Sequence, residues 1–313
     1  MSLPTKAVIT EVCPRDGFQS APFIPTEEKV NIINELMLCG FSQMEVSSFV
    51  HPKAVPQLKD ATEVLKNIKR KEGVKLRALI PNEKGMERAL EAKVDKVKLM
   101  LSATDSHSLH NANAKTFAAM EKFKPIVNMA EGTDTTVSGS ISVAFGCPYE
   151  GEVPIQRHIE ICEYYDSIGI KDISLADTTG MGHPVNVRKI LKALISRFPH
   201  FHFSLHLHNT RGMAFANAVT GLEEGIIDFD SSAAGLGGCP YAPNASGNIS
   251  TEDLVHGFEE MGVETGIDLD KLIKVSKKLQ RMFPNHAESF LLNAGKSSDL
   301  KIAPKKQEKV GER

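Results

Sequence analysis

The chain has 313 residues, and 37 Lys and Arg against 39 Asp and Glu leave a net charge of −2, which gives no whole-chain reason to expect nucleic-acid binding. Its 41% apolar and 24% charged residues suit a folded chain rather than a disordered one. No apolar run approaches the ~18 residues of a membrane-spanning helix, so no membrane partner is expected.

The opening MSLPTKAVIT has no apolar core and no Arg-rich leader, which points to a cytoplasmic location. Cys13, Cys39, Cys147, Cys162 and Cys239 form no CxxC pair. Free thiols in a reducing compartment are therefore expected, not a disulfide framework or structural zinc.

In chain order, β-rich runs at 7–12, 43–48, 76–80, 97–102, 137–144, 173–176, 201–208 and 227–231 alternate with helical patterns. The helices are expected at 26–39, 54–70, 84–92, 115–131, 154–168, 184–197, 212–224 and 251–263. Pro25-Thr26-Glu27-Glu28 opens the first with a cap and an acidic turn, and Thr251-Glu252-Asp253 opens the last in the same way. Gly40 and Gly169 follow helix ends, where a left-handed stop is cheap. Eight strand–helix alternations predict an α/β fold of the (β/α)8 TIM-barrel type. A doubly wound sheet would want a Gly-rich turn after strand one, where Cys13-Pro14-Arg15-Asp16-Gly17 stands instead. A further helix at 269–283 gives an extra C-terminal helical segment, so 1–290 reads as one barrel domain. The Lys-rich stretch 296–313 has too few apolar residues to fold alone and is expected to stay disordered.

Barrel active sites lie at the carboxyl ends of the strands. Arg15, Asp16 and Gln19 follow strand one, Glu45 lies near the end of strand two, and Ser174 and Asp177 stand at strand six. His206 and His208 end strand seven, and the Gly-rich loop from Gly235 with Cys239, then Gly247-Asn248, follows strand eight. The strand interiors read as Val, Ile, Leu and Met. Residues two apart on a strand share a face, so His206 and His208 aim at one point with Leu207 turned to the helices. That is a half-site for a divalent metal, although two hydrogen-bonded strand-end histidines read equally well. Asp16, otherwise a turn residue, would complete a mixed N/O set with an amide oxygen, suiting Mg2+ or Mn2+. Arg15 could face a developing oxyanion, and Cys239 could move a proton or act as a nucleophile. His51, His107 and His110 lack a convergent partner in this reading.

Thr10 to Gln19, Glu45 to Lys53, Phe145 to Glu150, Ser204 to His208 and Gly235 to Pro243, with Gly247-Asn248 and Thr251 to Leu254, occur in one order. Together they resemble the motifs of the 3-hydroxy-3-methylglutaryl-CoA lyase family over roughly residues 7 to 290. The resemblance implies that Asp16, His206, His208 and Asn248 bind the metal, that Arg15 stabilises an enolate, and that Cys239 is the acid. It also implies that Glu45 and Asp177 act in catalysis, that Gln19, Ser174, Asn111 and Asn113 face substrate, and that Glu252 supports the loop after strand eight. Lys53 is offered for coenzyme A. An acyl-CoA substrate and a homo-oligomer, with a dimer favoured, follow from the same likeness. Asn209 and Ala176 depart from the family pattern and leave the acyl group open. Two alternatives remain: a synthase or aldolase of the same superfamily acting on 2-keto acids, and an acyl-CoA-binding scaffold with little catalysis.

Overall fold

Alternation between a lumen face and a helix face organises every strand of the protein. In the computed structural model, which describes residues 3–238 and 247–300, eight parallel strands close into a barrel in sequence order. They are β1 Val8–Glu11, β2 Gln43–Ser48, β3 Lys75–Leu79, β4 Lys96–Ser102, β5 Thr136–Ser142, β6 Asp172–Asp177, β7 His202–Leu207 and β8 Asp228–Ser231. Closure pairs β1 with β8, Thr10 opposite Asp230, and so brings both chain regions to one mouth.

The helices form the outer layer. They run α1 Thr26–Met37, α2 Ala61–Asn67, α3 Glu83–Glu91, α4 Asp105–Ala112, α5 Thr116–Met120, α6 Phe123–Ala130, α7 Ile155–Ser167, α8 Pro184–Arg197 and α9 Ala214–Glu223. Then come α10 Thr251–Glu260, α11 Leu269–Met282 and α12 Phe290–Ala294. On β7, Phe203, Leu205 and Leu207 pack under the helices, and all three are buried. At Gly139 the packing is so close that a Cβ would lie 2.7 Å from the Tyr165 ring of α7.

The barrel and the C-terminal helix stand where the pattern puts them, and Gly40 and Gly169 take the expected left-handed conformation at φ 102° and 85°. The differences are local. The expected helix at 115–131 breaks into α5 and α6, and the loop before it is folded as α4. The expected helix at 54–70 shrinks to α2 behind a 3-10 turn at Pro56–Leu58, since Pro56 lacks the N–H a helix interior needs. Thr26 does not cap α1; its hydroxyl donates to Asp60 Oδ2 at 2.7 Å. Ser250, one residue before the expected start, caps α10 by accepting from the Asp253 N–H at 3.2 Å.

The strand interiors also differ from the apolar reading. Most of the Val, Ile and Leu residues face the helices, whereas the lumen carries Glu45, Arg77, Lys98 and Asp230, each no more than 3% exposed. A barrel lumen is ordinarily filled by branched aliphatic side chains. Buried ions cost several kcal/mol each unless paired, and here all four are paired.

Candidate metal centre and active-site cavity

The site starts at the mouth of β1. The Val12 carbonyl accepts from the N–H groups of Arg15, Asp16 and Gly17 at 3.0, 2.7 and 3.4 Å, winding Cys13–Gly17 into a π-helical turn. Such one-turn π elements recur at functional sites. The turn sets two adjacent ionic side chains at the top of the lumen, Arg15 6% and Asp16 5% exposed. Gln19 Nε2 donates to Asp16 Oδ1 at 3.0 Å.

β7 supplies the histidines. His206 Nε2 and His208 Nε2 face each other at 3.1 Å, and each lies 3.7 Å from Asp16 Oδ2. A point about 2 Å from all three atoms exists inside that triangle, which is the length of a metal–ligand bond. Asp230 Oδ2, which can only accept, lies 3.2 Å from His206 Nδ1. The His206 proton therefore sits on Nδ1, and its Nε2 presents a lone pair to the triangle. Burial, then the neighbouring His206, pushes the His208 pKa down to about 4, so that ring is neutral as a ligand must be. Burial pushes the Asp16 carboxyl up, but Arg15 and the two imidazoles outweigh it and hold the pKa at about 2.

Asn248 arrives from far along the chain. Residues 248–250 lie beside β7 and β8, with the Ile249 N–H on the Leu207 carbonyl at 2.9 Å and the Ser232 N–H on the Ile249 carbonyl at 3.1 Å. Asn248 Nδ2 donates to Asp16 Oδ2 at 2.7 Å and to the Leu236 carbonyl at 3.0 Å, while its Oδ1 is buried without a donor. An orphaned amide oxygen beside an Asp/His/His triangle fits a cation that needs further oxygen ligands. Gly237 makes the approach possible: its φ is 110°, and a Cβ there would sit 2.4 Å from Asn248 Nδ2.

Below this triangle, Arg15 Nε donates to Glu45 Oε1, and Arg15 Nη1 to Asp16 Oδ1 at 2.5 Å. Neither bond uses Nη2. Burial opposes the Arg15 charge, but Asp16 and Glu45 more than compensate and keep it protonated. Burial likewise opposes the Glu45 charge, and Arg15 and Lys98 together hold that carboxyl ionised well below its usual range.

A cavity of about 610 Å³ opens above these groups. Arg15, Asp16, Gln19, Asn111, His206 and His208 line it. Glu45, Asn248 and Ser174 lie behind its wall, and the Ser174 hydroxyl is buried without a partner. Asp177 takes the helix-facing register of β6: its oxygens accept from the Met181 and Gly182 N–H groups at 2.9 and 3.0 Å. Burial raises its pKa to about 6. Glu252 accepts from the Ala234 N–H at 3.1 Å and from Ser276 Oγ at 2.9 Å, and so braces the turn that leads to Gly237. Asn113 caps α4 in a left-handed conformation at φ 51° and is exposed, as is Lys53. Neither lines the cavity, although Ala54 to Gln57 do. Asn209 Oδ1 accepts from the Ala214 N–H at 3.3 Å at the start of α9, away from the triangle. Cys239 lies outside the described residues; its neighbour Gly238 lines the cavity and donates to Ser20 Oγ at 3.1 Å.

Sequence reasoning missed Lys98, Asp230 and His107. His107, 3% exposed, lines the cavity with Nδ1 2.8 Å from Ser102 Oγ. The available signal was period two: Lys96 and Lys98 on β4, and Asp228 and Asp230 on β8, alternate with apolar residues. Charges at alternate positions inside buried strands mark a polar lumen.

An eight-stranded α/β barrel with a buried Asp/His/His triangle at the carboxyl ends of its strands is the frame of a metal-dependent barrel enzyme. Comparison narrows the class. A family model described as HMGL-like matches residues 6–279, and the chain belongs to that family. Hydroxymethylglutaryl-CoA lyase YngG of Bacillus subtilis is 44% identical over 299 residues, covering 95% of this chain and 100% of that one. The human mitochondrial hydroxymethylglutaryl-CoA lyase is 40% identical over 274 residues, covering 87% of this chain and 84% of that protein. The structure of an HMG-CoA lyase from Acinetobacter baumannii, in complex with coenzyme A and 3-methylmalate, superposes with a TM-score of 0.92. It is 42% identical and covers 96% of this chain and 98% of its own.

Proposed function

We propose that this protein is a carbon–carbon lyase that cleaves 3-hydroxy-3-methylglutaryl-CoA to acetyl-CoA and acetoacetate with a divalent cation, Mg2+ or Mn2+. The observation that carries the reading is the triangle of Asp16 Oδ2, His206 Nε2 and His208 Nε2, with edges of 3.1, 3.7 and 3.7 Å. Asn248 Oδ1 is the fourth donor, and a mixed N/O set of this kind suits hard divalent ions. The relatives named as hydroxymethylglutaryl-CoA lyases, one of them solved with coenzyme A, support the substrate.

A cation held by these residues supplies Lewis-acid polarisation of substrate oxygens. The chain's own groups do the rest. Arg15, fixed through Nε and Nη1, has Nη2 uncommitted to either carboxylate and offers it to the enolate oxygen of the departing acetyl group. Glu45 stays ionised and serves by fixing that guanidinium. Asp177, turned to the Met181 and Gly182 N–H groups, acts by holding the loop after β6, and its neighbours Ala176 and Thr178 stand in the cavity wall. Cys239 delivers a proton to the acetyl carbon. Gln19, Asn111 and Ser174 orient the acyl part, Asn113 shapes the loop beside it, and Glu252 holds the turn before the Gly-rich segment. The reading extends to a homodimer and to the cytoplasm.

The test is product analysis of purified protein with Mn2+ and 3-hydroxy-3-methylglutaryl-CoA. Acetoacetate and acetyl-CoA in equal amounts are expected from the wild type, and His208→Ala should give neither and retain no Mn2+. A full Mn2+ complement in His208→Ala would defeat the ligand set; a 2-keto acid turned over in place of the thioester would move the protein to the synthase and aldolase branch.

A further inference from the structure

A closed ring of ionic side chains and one imidazole runs down from the triangle into the lumen, and the lyase chemistry leaves one member of it without a role. Arg15 bridges Asp16 and Glu45. Lys98 Nζ lies 2.8 Å from Glu45 Oε2 and 2.8 Å from Asp230 Oδ2. Asp230 Oδ2 accepts from His206 Nδ1 at 3.2 Å, and His206 Nε2 faces Asp16 Oδ2 at 3.7 Å, which closes the ring. No side chain in it is more than 9% exposed.

Arg15, Asp16 and His206 are placed to meet substrate or cation, and Glu45 and Asp230 each hold one of those. Lys98 also borders the cavity, but its ammonium is committed to the two holders, Glu45 and Asp230. It comes from β4, across the lumen from β1 and β8, and its ammonium is a compact head with three donors on a flexible stem. An aliphatic filler at this position would leave the two carboxylates facing one another across apolar atoms. Arg77 does not substitute: it lies 3.6 Å from Asp230 Oδ1, hydrogen-bonds Thr10 Oγ1 at 3.0 Å, and makes no ion pair with Glu45.

We propose that Lys98 is a positioning residue: its ammonium, clamped between Glu45 and Asp230, holds the Arg15 guanidinium and the His206 imidazole in one fixed relation. This rests on the reading of Asp16, His206 and His208 as the cation site. A cation ligand whose supporting carboxylate is itself anchored keeps its ring aimed before the cation arrives, which favours binding. An arginine anchored to the same ammonium stays in register with that cation when charge develops on the substrate.

The probe is Mn2+, titrated by electron paramagnetic resonance into the full chain, with kcat and KM measured alongside. Lys98→Met should weaken Mn2+ binding by about ten- to a hundredfold, the usual penalty for losing a group behind a ligand. Its kcat should fall by at least as much while KM changes little, and Lys98→Arg should recover part of both. Lys98→Met and Asp230→Asn cut the same link, so the double variant should bind Mn2+ no more weakly than the weaker single variant. Unchanged Mn2+ affinity in Lys98→Met, or losses that add in the double variant, would overturn the proposal. Should Lys98→Met fail to fold, Lys98→Gln is read by the same comparison. Failure of the underlying reading has a separate signature: the wild type itself takes up no stoichiometric Mn2+, or His208→Ala takes it up unimpaired.

Discussion

A pKa held at about 2 separates Asp16 from an ordinary turn carboxylate. Its charge faces a guanidinium on one side and two imidazoles on the other, so replacing it by a neutral isostere removes attraction without removing shape. Asp16→Asn should fold, keep the Asn248 segment in place, and bind Mn2+ at least a hundredfold more weakly in a titration. Wild-type affinity in that variant would take Asp16 out of the ligand set. Cys239→Ala tests the other half of the reaction. A positioned proton donor contributes about 10²–10⁴-fold in rate, so turnover should fall in that range while metal content by atomic emission stays at the wild-type level. At this scale Asp16 and His206-Leu207-His208 were legible because a turn after a strand and a period-two pair both announce a mouth. Lys98 and Asp230 carried only the period-two signal of a polar lumen; their pairing with each other depends on which strands meet across it, and no local pattern states that. Asp177 shows the converse: its place at a strand end was legible, but the turn of its carboxyl toward Met181 and Gly182 depends on the register of β6.

Between the strand ends and the catalytic loop, two buried carboxyls hold a short turn. Glu11 Oε1 accepts from the Cys13 and Ala233 N–H groups at 2.8 and 2.9 Å, and Glu252 accepts from the Ala234 N–H. Ala234 itself has φ 58°, an uncommon conformation for a residue with a Cβ, kept in place by these bonds. Burial raises Glu252 from 4.5 to about 7 and Glu11 from 4.5 to about 8, despite the N–H groups that favour their ionised forms. The sign follows from proton counting. Between pH 4.5 and 7 folded Glu252 retains a proton that the unfolded chain releases, so its contribution to stability falls as pH rises through that window. Glu252→Gln is neutral throughout and lacks this slope. The stability of the variant relative to the wild type should therefore rise between these limits by up to about 3 kcal/mol, read from chemical denaturation at a series of pH values. A difference that stays flat from acid to neutral pH would remove the raised proton affinity. Among elements, the eight strands were legible because each is a short run with buried apolar residues at alternate positions, set between helical patterns, and the left-handed stop at Gly40 was legible because φ 102° suits glycine alone. The split of 115–131 into α5 and α6 falls at Glu121 and Lys122, one turn before Pro125, which has no N–H to reach the Glu121 carbonyl; the apolar periodicity reads through a break that this proline marks.

Across the whole molecule, the candidate centre joins β1, β7 and the segment after β8, and its Asn248 and Asp16 are 232 residues apart in sequence. The C-terminal α11 is tied into the same construction, since Ser276 bonds the Glu252 that braces the turn at Ala234, and Lys278 pairs with Glu28 of α1 at 2.8 Å. A ligand set drawn from distant stretches of the sequence to one mouth of the barrel exists only when the barrel is closed. The unfolded chain keeps the two histidines as neighbours but separates them from Asp16 and Asn248, so it cannot offer the same grip. Binding the folded state alone stabilises it by RT ln(1 + [L]/Kd), about 2.7 kcal/mol at a hundredfold excess over Kd. For a domain of this size that corresponds to a rise in Tm of order 5 °C. Differential scanning calorimetry with saturating Mn2+ should show this rise in the wild type and its reversal by a chelator. His208→Ala should melt at one temperature with and without Mn2+. Lys98→Met should show a reduced rise at the same Mn2+ concentration, because its weaker Kd lowers the occupancy-linked term. A wild-type Tm indifferent to Mn2+ would mean that Asp16, His206, His208 and Asn248 share a cavity wall without sharing a cation.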